Sequence, residues 1–152
     1  MSDDLVFAMG EFQALFPVDR QYAKNHMWAK REGDRYRFGF TAYAVRLLQD
    51  VYFLDWSVDA PATLGSGQEI GSIESKKAES TLYAPMAGQL TEFNSAVIQD
   101  PSAINTDKYA GGWLFEMESN DATLLSPQEY VDQLESVWEK TQRTIKGQMN
   151  TD

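Results

Sequence analysis

At 152 residues the chain is one domain with room for a single core, and although 43% of it is hydrophobic, no apolar run approaches the length of a membrane span. A formal charge of −10 excludes non-specific nucleic-acid or anionic-membrane binding as a role and predicts partners with basic docking faces. The absence of cysteine excludes thioredoxin-type chemistry and cysteine-ligated zinc, so any thiol chemistry must come from an attached group.

The opening Met1-Ser2-Asp3-Asp4 is acidic and carries neither the basic region of a secretory signal nor the arginines of a transit peptide, so a cytoplasmic location is expected. Residues 1–20 form an N-terminal extension. Within it Leu5, Phe12 and Phe16 fall near one helical face, with Met9 and Leu15 close by and Gly10 interrupting. The segment is expected to pack on the domain as an extra strand or turn of helix, ahead of a role as a docking element.

From His26 to Phe40 the pattern is strand, turn and strand, with Glu32-Gly33-Asp34 as the turn. Thr41 is a candidate N-cap for a short helix through Leu48, and Asp50 to Trp56 reads as a strand. Ser57 to Gly67 is rich in Pro, Ala, Gly and Ser and reads as loop. Gly71 to Ser80 then places two short strands around a polar turn with Lys76 and Lys77 at its tip, which holds an amine out in water. Gly88 reads as a turn glycine, and Trp113-Leu114-Phe115 as a core strand after Gly112.

The last segment carries the clearest helix signal. Ser126 can cap it, Pro127 suits its first position, and Glu129 completes a capping box. Tyr130, Leu134 and Val137 follow one stripe, extended by Trp138 and Ile145. The predicted helix spans residues 126–147, stopped by Gly147, with a disordered tail over 148–152.

The lysine turn, Glu74-Ser75-Lys76-Lys77-Ala78 followed by Tyr83-Ala84-Pro85-Met86-Ala87-Gly88, resembles the lipoylation hairpin of the glycine cleavage H-protein family. Tyr22 to Trp28 is similar to that family's Tyr-x-x-x-His-Glu-Trp, and Gly39 to Ala44 to its Gly-Ile-Thr-Asp-Tyr-Ala. Downstream, Glu92-Phe93-Asn94 and Asn105 to Leu114 match two further motifs in the same order. The resemblance implies a mainly β lipoyl-type barrel-sandwich hybrid over residues 21–125: two antiparallel sheets with short helices, plus the C-terminal helix.

The same resemblance implies lipoic acid in amide linkage to Lys77, and marks Glu74 as a candidate for recognition by a ligase. Implied partners are a lipoate ligase or lipoyl transferase, dihydrolipoamide dehydrogenase, and either glycine cleavage enzymes or a heterodisulfide-reductase-like complex. The resemblance implies polar and acidic groups of the arm's cleft where this chain has Met27, Leu47 and Thr81, and a frequent Asp is here Ala42. An ammonium cargo needs polar partners in a partly dry cleft. The favoured expectation is therefore a lipoate-binding carrier of heterodisulfide-reductase-like sulfur oxidation. The alternatives are an H protein carrying the aminomethyl group in glycine cleavage, or a lipoyl reservoir.

Other classes fit less well. A biotin carrier normally brackets its lysine with methionines, whereas Lys77 has Lys76 and Ala78 beside it. A stand-alone enzyme is poorly equipped, with one histidine, no phosphate-binding glycine loop and no HExxH-type metal spacing, so no turnover is expected. His26 reads as a structural hydrogen-bonding residue. An unmodified binding module predicts that Lys77 is dispensable.

Overall fold

The computed structural model describes residues 4–119 and 123–150, with side chains in the last helix as far as Trp138. The N-terminal segment, expected as an extra strand or turn of helix, is a β-hairpin: β1 (Leu5–Met9) pairs antiparallel with β2 (Phe12–Phe16) as a separate two-stranded sheet. Gly10, with φ of 66°, supplies the left-handed turn residue. Strand alternation then turns Phe7, Met9, Ala14 and Phe16 inward and leaves Leu15 exposed.

A six-stranded antiparallel sheet runs in the order β3 (Gln21–Tyr22), β4 (Met27–Glu32), β5 (Arg35–Phe40), β11 (Phe115–Glu118), β10 (Gly88–Phe93) and β7 (Ala62–Leu64). The predicted strand-turn-strand over His26 to Phe40 is β4 and β5. β7 lies inside the segment expected to be loop; at three residues it is too short to carry a periodicity. A three-stranded antiparallel sheet follows the order β6 (Val51–Trp56), β8 (Glu69–Ser75) and β9 (Glu79–Tyr83). Phe38, Phe115 and Leu90 of the larger sheet share one core with Leu54, Ile70 and Ile73 of the smaller. The mainly β expectation holds, with the N-terminal hairpin as an additional small sheet.

Short helices connect the strands. Thr41 caps α1 (Ala42–Leu48), its hydroxyl accepting from the Ala44 amide. Asn94 caps α2 (Ser95–Gln99), and α3 (Ser102–Thr106) follows directly. Gly88 is needed for close approach and not for a turn conformation, since a side chain there would strike the Glu118 carbonyl. Gly112 is likewise pressed against the Ala103 carbonyl, while the neighbouring Trp113 is only partly buried beneath the Arg37 guanidinium, 4.2 Å from its ring centroid.

The C-terminal helix α4 spans Pro127–Asn150 and continues through Gly147. One glycine costs a helix about 1 kcal/mol, which does not end it when helix-compatible residues follow. Residues 151–152 of the expected tail lie outside the described residues. The capping box forms as expected: the Glu129 carboxylate accepts from the Ser126 amide at 2.8 Å, and the Ser126 hydroxyl from the Glu129 amide at 3.2 Å. Tyr130, Val131 and Leu134 are buried and Trp138 packs with them, whereas Val137 is exposed. This face and the β1–β2 hairpin cover a second core that contains Tyr22, Trp28 and Tyr43. Among the described residues no helix is long and apolar enough to cross a membrane.

Candidate functional site

Strands β8 and β9 form the expected hairpin, with Glu74 opposite Glu79 and the turn Ser75-Lys76-Lys77-Ala78 closing it. Ser75 is buried and holds the turn together. Its amide donates to the Ala78 carbonyl at 2.8 Å, while its hydroxyl accepts from the amides of Lys77 (3.3 Å) and Ala78 (3.1 Å) and donates to the Ala78 carbonyl (3.1 Å). A serine at the end of the strand thus does locally what a second turn of backbone would otherwise do.

The turn is also tied from outside. The Lys76 amide donates to the carbonyls of Gln49 at 3.1 Å and Asp50 at 3.3 Å. Both of these residues adopt positive φ, 51° and 48°, in the connection between α1 and β6. The start of β6 is fixed in turn by Asn105 of α3, whose side chain accepts from the Val51 amide and donates to the Val51 carbonyl, each at 2.9 Å. Lys76 is thereby anchored through its backbone at the base of the tip, and Lys77 follows it. Both side chains are exposed, and neither forms an ion pair among the described residues. Glu74, half-exposed on the outer face of β8, takes no part in holding the turn.

Beside the hairpin lies a cleft of about 190 Å³ between β9, α1 and the start of β4. Met27, Leu47 and Thr81, singled out from separate parts of the sequence, all line it, together with Phe40, Ile73 and Leu82. Ser80 and Thr81 of β9 follow Lys77 by three and four residues, a chain length that separates them by at most about 10–14 Å. His26 also borders the cleft. Burial pushes its imidazole below its ordinary pKa, and its Nδ1 lies 3.0 Å from the Tyr130 hydroxyl, which lies 2.9 Å from the Thr41 hydroxyl. His26 is therefore held as a neutral structural residue, and among the described residues that line the cleft there is no carboxylate.

Sequence reasoning found the lysine turn and the cleft positions but missed the devices that hold them. The two positive-φ residues carry no glycine to announce them, and the Asn105 bridge joins residues far apart in the chain. Lys77 and Glu74 stand on the hairpin as expected, whereas the expected extension residues lie on another face, against α4 and α1.

A lysine-tipped hairpin on this pair of sheets defines a lipoyl-type carrier domain, and comparison with known proteins gives the family. Residues 20–137 match the family model described as glycine cleavage H-protein. The chain is 39% identical over 123 residues to a glycine cleavage system H protein of Rubrobacter xylanophilus, covering 80% of this chain and 97% of the relative. It is 37% identical over 110 residues to one from Escherichia coli, covering 72% and 84% respectively. The crystal structure of a glycine cleavage system H protein from Mycobacterium marinum superimposes with a TM-score of 0.70 at 36% identity, over 78% of this chain and 98% of that one. The chain belongs to the glycine cleavage H-protein family, a family of lipoyl carriers. The N-terminal hairpin lies outside the matched segment.

Proposed function

We propose that this chain is the mobile carrier of a glycine cleavage system, with a lipoyl group in amide linkage to Lys77, and that it has no turnover of its own. The observation that carries the reading is the exposed Lys77 amine, free of any ion pair among the described residues, at the tip of a turn whose backbone is fixed by Ser75 and by Gln49 and Asp50. Acylation removes the amine's charge and breaks no contact of the fold.

The residues present fit the group. Ala78 leaves the tip uncrowded, and the apolar cleft lined by Met27, Leu47 and Leu82 can shelter a hydrophobic ring at the end of the arm. When bound, the group supplies a dithiol–disulfide pair that can accept a group or electrons at one enzyme and give them up at another. The chain's own part is to present Lys77, to keep its backbone still, and to offer the cleft. A lipoate ligase or lipoyl transferase attaches the group; the glycine cleavage enzymes and dihydrolipoamide dehydrogenase act on it, in the cytoplasm.

The relatives above, each at 36% identity or more, carry the glycine cleavage name, and they favour this role over the sulfur-oxidation role expected from the sequence. That expectation gave weight to three cleft positions against a match that spans residues 20–137. One observation keeps the sulfur reading as a second: the positions do meet in one cleft, and it contains no carboxylate to balance an ammonium. Mass spectrometry of the protein from its native host tests the carrier reading, with a single lipoyl increment on the Lys77 peptide expected. Comparison of glycine-dependent with sulfur-dependent reduction of the arm then separates the two roles. An unmodified Lys77 while the pathway runs would overturn both.

A further inference from the structure

The outer face of the three-stranded sheet carries an unusual pair. Val51 and Leu54 of β6 are both buried, at 3% and 5% exposure, so the two residues between them must share the other face. A regular strand would send consecutive side chains to opposite faces. A β-bulge resolves the conflict: Val51 pairs with Ser75 and Phe53 with Glu74, leaving Tyr52 as the extra residue. Tyr52 and Phe53 are consequently both in water, 62% and 46% exposed. Two consecutive aromatic residues exposed on one face mark a surface suited to a partner.

Their surroundings indicate what covers them. Phe53, Glu74 and Glu79 form one row across β6, β8 and β9, since Phe53 is paired with Glu74 and Glu74 with Glu79. Like charges directly opposite each other on a sheet destabilise it. Neither glutamate is in an ion pair among the described residues, and the exposed Lys76 and Lys77 of the turn between them make no ion pair with either. The missing complement is a surface with an apolar pocket rimmed by Arg or Lys.

Reach selects among the enzymes that could present it. Before acylation the Lys77 amine extends only about 6 Å from its Cα, five bonds of about 1.5 Å in zigzag. Glu74 precedes Lys77 by three residues, at most about 10 Å even for extended chain, and Phe53 lies on the strand next to Glu74. An interface of about 800 Å² per partner spreads over a radius of roughly 16 Å. The row therefore lies within the footprint of an enzyme that takes the bare amine into its active site, whereas an enzyme that works on a loaded, longer arm can stand further off.

We infer that Tyr52 and Phe53, with Glu74 and Glu79, form the docking face for the enzyme that acylates Lys77, through an apolar pocket flanked by basic side chains. The inference rests on the carrier reading above. It also gives the β6 bulge a purpose, since without it one of the two rings would have to enter the core.

The test uses the full apo chain and the host's own lipoyl-attaching enzyme, with initial rates followed as the mass increment on the Lys77 peptide. A Tyr52→Ser/Phe53→Thr variant is expected to raise KM for the carrier at least tenfold with kcat within twofold. Its melting temperature should match wild type, and so should acetylation of Lys77 by a small activated ester. Val6→Ser/Leu15→Ser, which removes exposed apolar residues from the N-terminal hairpin, should leave KM within twofold. If the double variant folds poorly, Tyr52→Ser alone should raise KM at least threefold. An unchanged KM, or a rise matched by the hairpin control, overturns the docking face while leaving the carrier reading intact. A wild-type chain that the enzyme never modifies overturns both.

Discussion

The hydroxyl of Tyr130 lies 3.0 Å from His26 Nδ1 and 2.9 Å from the Thr41 hydroxyl, which joins the C-terminal helix to the start of β4 and the cap of α1. Tyr130 is fully buried and stacks on Tyr22 with ring centroids 4.8 Å apart. Tyr130→Phe keeps the stacking but strands His26 Nδ1 and leaves the Thr41 hydroxyl with the Ala44 amide alone. The expected cost is about 2 kcal/mol, since unsatisfied buried groups lose about 1–3 kcal/mol. Urea denaturation measures it, with Lys77 acylation unchanged at temperatures where the variant is folded.

The same histidine sets a pH dependence. Burial lowers the His26 pKa below its ordinary 6.5, and the rings packed on it are those of Tyr43 and Tyr130. Above about pH 6.5 the imidazole is neutral in both folded and unfolded chains, so it adds no slope. As pH falls below that value the unfolded chain takes up the proton first, and stability declines until the folded pKa is reached. The limiting slope is about 1.4 kcal/mol per pH unit. His26→Asn, which tolerates the positive φ of 69°, should remove this component; melting temperatures at pH 7.5 and 5.5 would show it.

Lys76 and Lys77 should behave differently despite being neighbours. Lys77→Arg is expected to abolish lipoyl attachment, because a guanidinium does not replace the amine as acceptor. Lys76→Arg should retain it, since the anchoring contacts of Lys76 run through its backbone amide. The lipoyl mass increment on each variant distinguishes them. Glu74→Ala should slow attachment severalfold without loss of stability, and a wild-type rate would remove Glu74 from recognition.

Ser75→Ala deletes the hydroxyl that accepts from the Lys77 and Ala78 amides. Water can reach this exposed tip, so the global cost should be about 1 kcal/mol. The local effect should be larger, with amide exchange at Lys77 and Ala78 at least tenfold faster by NMR and slower acylation of Lys77.

Gln49 occupies φ 51°, ψ 128°, a backbone region unfavourable to any residue with a side chain. Gln49→Gly should relieve it and stabilise the chain by about 1 kcal/mol. A rise in the denaturation midpoint with unchanged acylation kinetics is the expected result.

Much of this architecture was legible where a local rule and the tertiary structure agree. Thr41 and the Ser126–Glu129 capping box mark helix starts by chemistry that needs no distant partner. The lysine turn was legible because Gly71 to Ser80 carries its strands and its polar tip within one short stretch. The N-terminal hairpin was not. Leu5, Phe12 and Phe16 satisfy a helical spacing as well as a strand alternation, and the deciding signal was Gly10 as a turn residue. The β6 bulge was hidden for a related reason, because Val-Tyr-Phe-Leu reads as apolar throughout and gives no phase.

The meeting of Phe7 with Trp138, edge to face at 6.2 Å between centroids, bears on the order of events during synthesis. Phe7 is among the first described residues to leave the ribosome and Trp138 among the last. The strands that frame Lys77 are complete once β9 has emerged, and both sheets once β11 has, while the inward face of the N-terminal hairpin still waits for α4. A nascent chain can therefore finish its acceptor turn before its second core closes, and it must keep Phe7, Met9 and Phe16 from foreign contacts in that interval.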